Sequence, residues 1–353
     1  MKKTLIIYIL FLSLLSIKLN GRKKFENYRI KSKLKINGSL TTGLTVVNNK
    51  VFMFTDNEEL VIANMNIFPR IVRRIKIHSI CDSVPVYHKG IIYFGIYHQR
   101  IFGINVNTFK FDFLEFFHSM LIMQNSIIIS EGFIYFAGVL GGIFKVDLYN
   151  GKVAWYKEID ANVWTKPGLY KNVLIIADEG GKITAINTNT GKVIWKKYLK
   201  TLRFTIGRVY ITGNKFIVNS HEGSIIKFSV RNGYEYGRPI NIGRIAYKLS
   251  SRVVIAPQRV NNIVYYPTQN DLIGVDINKF KKVFKFNTGN LPMFIAYKKG
   301  LYVNKDNILY SLDINGKIRW KVFLDSRLVH KPAIDKNFIY AMTISKTLYK
   351  IKR

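Results

Sequence analysis

A degenerate repeat of roughly 40 residues constrains this chain more than any other feature, because repeats of that length build rings or solenoids. Three copies show it best, at 141–159, 180–199 and 307–324. Each contains an alternating apolar run, an Asp or Asn, a turn closed by Gly, and a strand that carries an aromatic residue. The pattern predicts consecutive antiparallel strands joined by tight turns.

Three positions recur in these copies, and each has a structural reason. The Asp or Asn side chain can bond backbone amides further along and start the turn. The Gly tolerates the positive φ that the turn requires, and the Trp can cover the edge between neighbouring sheets. The positions are Asp147, Gly151 and Trp155 in the first copy, Asn187, Gly191 and Trp195 in the second, and Asp313, Gly316 and Trp320 in the third.

Weaker copies in the same register indicate eight repeats. A short strand with Tyr or Phe begins near Val51, Ile91, Phe133, Val173, Lys215, Asn262, Gly300 and Phe338. Prolines suited to the start of an innermost strand precede three of these, at Pro85, Pro167 and Pro332. Where the Trp is absent, its place is taken by Phe113, Tyr236 and Phe284, and by Val72 in the first copy.

The last copy ends at Arg353 before its fourth strand, and residues 27–36 match the missing strand. An N-terminal strand that completes the last sheet would close the ring and remove its open edge. We therefore predict an all-β chain in which residues 22–353 form one eight-bladed β-propeller of four-stranded antiparallel blades.

The first residues predict export. A short basic stretch, Met1-Lys2-Lys3, precedes an apolar run from Thr4 to Ile17. This run is short for a membrane-spanning helix and suits a signal peptide. We expect 1–21 to be a signal peptide or short N-terminal hydrophobic segment, and the protein to reach the periplasm or cell envelope. No cysteine follows the apolar run, so we expect no lipobox.

The net charge of +34 allows two interpretations. It can reflect a compositional bias, which fits Lys and Arg spread over nearly every repeat, or it can serve an anionic partner. The single cysteine, Cys81, cannot form an internal disulfide, and the six histidines show no metal-ligand spacing. Ser220-His221-Glu222-Gly223 fits a hairpin turn. We therefore predict no catalytic, cofactor-binding or metal-binding residues.

The recurring Asp/Asn, Gly and Trp positions resemble the pyrroloquinoline-quinone-type (quinoprotein-like) repeat. Within that superfamily, the length and the exported ring resemble the B-subunit family of the outer-membrane β-barrel assembly machinery. The resemblance implies docking on a partner through inter-blade loops that contain a Leu-Arg pair, which here matches Leu202 and Arg203.

This resemblance implies a monomeric, cofactor-free scaffold in the cell envelope that binds envelope proteins and is not an enzyme. One alternative is a basic propeller that binds a polyanion, either an envelope glycan, an acidic lipid or, less favoured, nucleic acid. A second alternative, a degenerate quinoprotein oxidoreductase, is less favoured because acidic residues are few and no calcium-ligand cluster is visible.

Overall fold

The computed structural model describes residues 27–81, 83–96, 100–116, 127–138, 141–200, 207–246, 256–298 and 300–353. These residues form eight four-stranded antiparallel sheets, arranged as the blades of a β-propeller. The prediction of an all-β, eight-bladed ring is confirmed. In this described part of the chain, no helix has the length and apolar character needed to cross a membrane.

The strands of each blade follow one another from the innermost to the outermost. Blade 1 consists of β2 (Thr45–Val47), β3 (Lys50–Thr55), β4 (Glu59–Asn64) and β5 (Arg70–Lys76), and blade 2 of β6 (Val86–His88), β7 (Ile91–Ile96), β8 (Arg100–Asn105) and β9 (Phe111–Phe116). Blade 3 consists of β10 (Ile128–Ser130), β11 (Phe133–Ala137), β12 (Gly142–Asp147) and β13 (Val153–Glu158), and blade 4 of β15 (Gly168–Tyr170), β16 (Val173–Ala177), β17 (Lys182–Asn187) and β18 (Val193–Tyr198).

Blades 5 to 8 complete the ring, and the outermost strand of blade 8 is the first strand of the chain. Blade 5 consists of β20 (Tyr210–Thr212), β21 (Lys215–Asn219), β22 (Ser224–Ser229) and β23 (Ile240–Asn241), and blade 6 of β24 (Gln258–Val260), β25 (Ile263–Pro267), β26 (Asp271–Asp276) and β27 (Lys281–Asn287). Blade 7 consists of β28 (Phe294–Tyr297), β29 (Gly300–Lys305), β30 (Ile308–Asp313) and β31 (Ile318–Phe323), and blade 8 of β32 (Ala333–Ile334), β33 (Phe338–Met342), β34 (Thr347–Lys352) and β1 (Ile30–Lys35).

The hydrophobic core lies between the faces of neighbouring blades. The second and third strands of a blade are almost entirely buried, as in β16 and β17, whereas the outermost β18 alternates between half-buried and exposed residues. Aromatic rings fill the space between blades 1 and 2, where the centroids of Phe54 and Phe94 are 4.5 Å apart. This burial explains why the middle strands are apolar on both faces while the outer strands are basic.

The ring closes as predicted. Strand β1 pairs antiparallel with β34, and the register runs from Ile30 opposite Ile351 to Lys35 opposite Thr347. Arg29 strengthens this closure, because its Nη1 donates to the carbonyl of Arg353 at 3.0 Å. The two ends of the described chain therefore complete one blade.

The innermost strands and the turns also follow the prediction, with one correction. Pro85, Pro167 and Pro332 each stand directly before an innermost strand. Val72, however, does not occupy the position of the repeat Trp. The turn between β4 and β5 is one residue longer than the turn between β12 and β13, and this places Arg73, opposite Ile62, where Trp155 stands opposite Lys145 in blade 3.

A further parallel pair links blades 4 and 5. Strand β14 (Thr165–Lys166) pairs with β19 (Gly207–Arg208), so that Lys166 lies beside Arg208 just before the innermost strands of their blades. This pair brings two basic residues to the wall of the central channel.

Candidate functional site in the central channel

The recurring Trp and Gly positions hold neighbouring blades together. Trp155 of blade 3 donates its Nε1 hydrogen to the carbonyl of Thr188 in blade 4 at 2.8 Å. Its ring lies over Gly191, where an added Cβ would come within 3.0 Å of the indole Cγ. Trp195 repeats the arrangement over Gly233 of blade 5. These residues therefore fasten the ring together.

Trp320 departs from this arrangement because it precedes the closing blade. The guanidinium of Arg29, at the start of the closing strand, lies 4.8 Å from the centroid of its ring. Gly316 instead lies against the ring of Phe284 from the preceding blade, at 3.1 Å from an added Cβ. The aromatic-to-glycine contact is thus kept even where Phe replaces Trp.

The turn residues act as the sequence predicts. The Asp147 carboxylate accepts hydrogen bonds from the backbone amides of Tyr149 and Asn150, at 2.7 and 3.3 Å. Asn187 and Asp313 bond the amides of their own turns in the same way. Gly151, Gly191 and Gly316 all adopt positive φ, at 72°, 67° and 92°.

A different set of residues surrounds the axis of the ring. Seven of the blades contribute to a cavity of about 540 Å³ through their innermost strands and the segments just before them. A second cavity, of about 760 Å³, shares several of its lining residues. This size lies within the range of small-molecule sites.

Four basic residues converge on this channel: Lys166, Arg208, Arg259 and Lys331. Three of them, Lys166, Arg208 and Lys331, occupy equivalent positions, seven residues before the second strand of their blades. Among the described lining residues there is no carboxylate. The other lining residues are largely apolar, so the channel combines concentrated positive charge with a low-polarity wall.

The four cations form no ion pair with any described residue. Arg259 donates to the backbone carbonyls of Ile211 and Asn261, at 2.5 and 2.7 Å. The guanidinium of Arg208 lies 5.6 Å from the centroid of the Tyr210 ring. Carbonyl and ring contacts hold the two arginine side chains in place but leave their charges uncompensated.

The surroundings lower the pKa of the channel amines. Burial lowers the pKa of Lys166 to about 7, and repulsion from Arg208 and Lys331 adds to the effect. Burial also lowers the pKa of Lys331 to about 8, again with a contribution from Arg208. Lys166 is half-buried, whereas Lys331 is surrounded by protein but its surface is exposed to the solvent of the channel. An anion in the channel would favour their protonated forms.

His330 adds a neutral polar group to the wall. Its Nε2 lies 3.1 Å from the carbonyl oxygen of Leu40, which links blade 8 to the segment before blade 1. Burial lowers the pKa of His330 to about 4, so the ring is neutral near pH 7. This histidine is a structural contact beside the basic residues.

This basic cluster was not predicted from the sequence. The basic residues are spread along the chain, yet the ring brings four of them from blades 4, 5, 6 and 8 to one channel. A signal was available, because lysine directly precedes two of the three prolines that mark innermost strands, Pro167 and Pro332. Aligning the residue two positions before each innermost strand would have revealed Lys166, Arg208 and Lys331, whereas Arg259 lies within β24.

The other predicted site residues fall elsewhere. Leu202 and Arg203 lie outside the described residues, as do the segment 1–21 and the histidines His98 and His118. Within the described ranges, no three His, Cys, Asp or Glu side chains are placed to hold a metal ion. A calcium ion of the quinoprotein type would meet no carboxylate in the described channel lining, so that lining does not fit it.

The repeat, the eight blades and the Trp–Gly contacts together resemble a PQQ-type β-propeller, and within that class the chain resembles BamB. A family model described as outer membrane protein assembly factor BamB matches residues 124–279. The BamB of Yersinia pestis is 20% identical over 230 residues, which cover 63% of this chain and 58% of that protein. The BamB of Shewanella oneidensis is 21% identical over 267 residues, covering 69% and 66%.

Other proteins are similar to this chain over a short stretch of sequence or in fold. A tetrathionate hydrolase of Acidithiobacillus ferrooxidans is 36% identical over 58 residues, which cover 16% of this chain and 12% of that protein. This chain spans less than two thirds of the length of each of these curated relatives. The crystal structure of BamB from Moraxella catarrhalis superposes with a TM-score of 0.68 at 12% identity, covering 92% of this chain and 99% of that one. The computationally designed protein Ika8 superposes at 0.76 with 12% identity, covering 92% and 100%.

Proposed function

We propose that this protein is a non-catalytic scaffold in the cell envelope that assists the assembly of outer-membrane β-barrel proteins. The observation that carries this proposal is the match of residues 124–279 to outer membrane protein assembly factor BamB within a closed eight-bladed ring. A closed ring presents loops from several blades on a common frame, which suits a docking protein. Export through the segment 1–21, and action as a single ring, are parts of the proposal.

One face of the ring supports docking best. Because the strands of each blade are antiparallel, the inter-blade connections and the hairpins between second and third strands share one face. Contacts brace this face: Glu179, in such a hairpin, accepts hydrogen bonds from Asn162 and Trp164 of the preceding connection, at 2.5 and 2.6 Å. A braced face loses little conformational entropy when a partner binds.

We propose that Leu202 and Arg203 contribute to the partner contact. In the sequence they lie between the residues of β18 and those of β19. A second connection adds a charged feature there, since Arg244 pairs with Glu222 of a hairpin at 3.1 Å. An extended segment of an assembly partner that lies across these loops would bury apolar surface and pair with the arginines.

Site-specific photo-crosslinking in the native cells tests this function. A photoreactive residue at Leu202 is expected to capture a component of the outer-membrane protein assembly machinery. The matched control carries the same residue at Arg231, an exposed position in the turn that follows β22 on the opposite face. Capture of no envelope protein at Leu202, or equal capture at both positions, would contradict the scaffold proposal.

The proposal that the chain is not an enzyme has its own test. The purified protein is expected to bind neither a quinone cofactor nor Ca²⁺ in stoichiometric amounts. Isothermal titration calorimetry with pyrroloquinoline quinone and Ca²⁺ measures both. Stoichiometric binding of the pair would revive the quinoprotein alternative.

Polyanion binding is the second candidate function, because four uncompensated cations converge in the channel. An envelope glycan, an acidic lipid or, less favoured, nucleic acid would be the ligand. Retention on heparin resin across a salt series tests it, and a steep fall of binding with salt is expected for contacts to many anionic groups. A shallow salt dependence would exclude polymer binding.

A further inference from the structure

The central channel is arranged to hold a small anion. Lys166, Arg208, Arg259 and Lys331 come from four different blades, and only ring closure brings them together. Like charges that share a partly enclosed space repel one another more strongly than in open water. Nothing in the described wall compensates them, because neither the lining nor the ion pairs supply a carboxylate.

Arg208 is the centre of this group. It is the strongest neighbouring charge acting on Lys166, Arg259 and Lys331, and it lowers the pKa of all three. In the parallel β14–β19 pair its backbone lies beside that of Lys166. The four charges therefore form one electrostatic unit, and a single compact ligand can reach it.

The chemistry of the wall indicates the ligand class. Arginine guanidinium groups bind the oxygens of phosphate-type oxyanions through paired N–H donors, and lysine adds a mobile positive charge. Four cations call for several negative charges in a small volume, which phosphate esters provide and a single carboxylate does not. The cavity of about 540 Å³ accommodates such a group.

We propose that the channel binds a small, soluble, multivalent oxyanion of the phosphate type through Lys166, Arg208, Arg259 and Lys331. The proposal rests on the channel alone and goes beyond the scaffold function. It also differs from polymer binding, since the ligand lies wholly inside the ring. A phosphate on a lipid headgroup would offer the same chemistry from a membrane surface, and the experiment separates the two sources.

Titration calorimetry of the full chain with tripolyphosphate tests the proposal. Wild-type protein is expected to bind one tripolyphosphate per ring, and Arg208→Gln is expected to weaken this binding at least tenfold. The matched controls Lys196→Gln and Arg73→Gln remove the same charges from exposed positions on outer strands and should change the affinity less than twofold. Unchanged affinity in Arg208→Gln, or an equal loss in the controls, would overturn the proposal.

A pH series adds a readout that charge on the outer strands cannot mimic. Sulfate is the probe, because its charge stays constant between pH 6 and 9. Lys166 and Lys331 lose protons in this range, whereas burial keeps His330 neutral. His88 lines the adjoining cavity and is therefore replaced by Asn in every protein of the series. Sulfate affinity is therefore expected to fall at least fivefold from pH 6 to 9, and to stay nearly constant in the double variant K166Q/K331Q. A sulfate affinity that does not depend on pH in the wild type would overturn the proposed role of Lys166 and Lys331. If Arg208→Gln does not fold, K166Q/K331Q replaces it in the tripolyphosphate titration.

Vesicles that contain phosphatidylglycerol distinguish the source of the anion. Under the proposal, tripolyphosphate binds in solution and Arg208→Gln leaves vesicle binding unchanged. Vesicle binding that depends on Arg208 without any binding of tripolyphosphate would overturn the soluble-ligand proposal. Heparin retention and the crosslinking at Leu202 are separate measurements, so failure here is distinguishable from failure of either proposed function.

Discussion

Replacing Gly191 by Ala should destabilise the protein by about 2–3 kcal/mol, because the new methyl group meets Trp155 of the neighbouring blade. Gly191 adopts φ +67°, and an added Cβ would lie 3.0 Å from the indole Cγ. The left-handed conformation costs a non-glycine residue about 1–2 kcal/mol. Displacing the ring also weakens its hydrogen bond to Thr188, for a net loss of about 0.5–1.5 kcal/mol.

Gly237→Ala is the matched control for the backbone contribution. Gly237 has a similar φ of +73°, but an added Cβ would meet no atom within 4 Å. This variant is expected to lose only the conformational part, about 1–2 kcal/mol. Urea unfolding followed by far-ultraviolet circular dichroism measures both free energies, and the difference between the two variants isolates the contact with the indole.

A double-mutant cycle with Trp155→Ala completes the test. When the indole is absent, Gly191→Ala should cost the same as Gly237→Ala in the wild type, because only the backbone term is left. Gly233, which lies under Trp195 at φ +68°, should behave like Gly191. Equal losses for Gly191→Ala and Gly237→Ala in the wild-type background would refute the idea that the Trp–Gly contact holds the blades together.

Three further predictions concern closure, the channel and the turns. Deleting residues 27–36 exposes the edge of β34 and should lower the free energy of unfolding by several kcal/mol and promote aggregation, as measured by urea unfolding and size-exclusion chromatography. Between about pH 7 and 10, Lys166 is protonated in the unfolded chain but has lost its proton in the folded protein. The free energy of unfolding should therefore rise with pH in this range, by roughly 1 kcal/mol more in the wild type than in Lys166→Gln. Urea unfolding at each pH measures this difference. Asp147→Ala removes the acceptor for two turn amides and should cost about 1 kcal/mol in the same assay, whereas Asp147→Asn should cost less.

The repeat is visible in the sequence because its determinants are local. Asp147 accepts hydrogen bonds from amides within its own turn, and Gly151 permits the φ of that turn. The residues of each copy therefore determine the turn of that copy. Closure by residues 27–36 was predictable for the same reason, since the final copy lacks one strand of a known pattern. The prediction placed Val72 where Arg73 stands, because the turn between β4 and β5 is one residue longer than the turn between β12 and β13.

The sequence by itself thus determined the all-β class, the eight blades, the turn chemistry and the strand that closes the ring. Only the tertiary structure decided that Lys166, Arg208, Arg259 and Lys331 share one channel. These residues are far apart along the chain, and in the sequence they look like part of an evenly spread excess of basic residues. Closure of the ring places the start of every innermost strand near one axis, so positions that are separate in sequence become neighbours. Their mutual repulsion is a property of the closed ring that no single repeat contains.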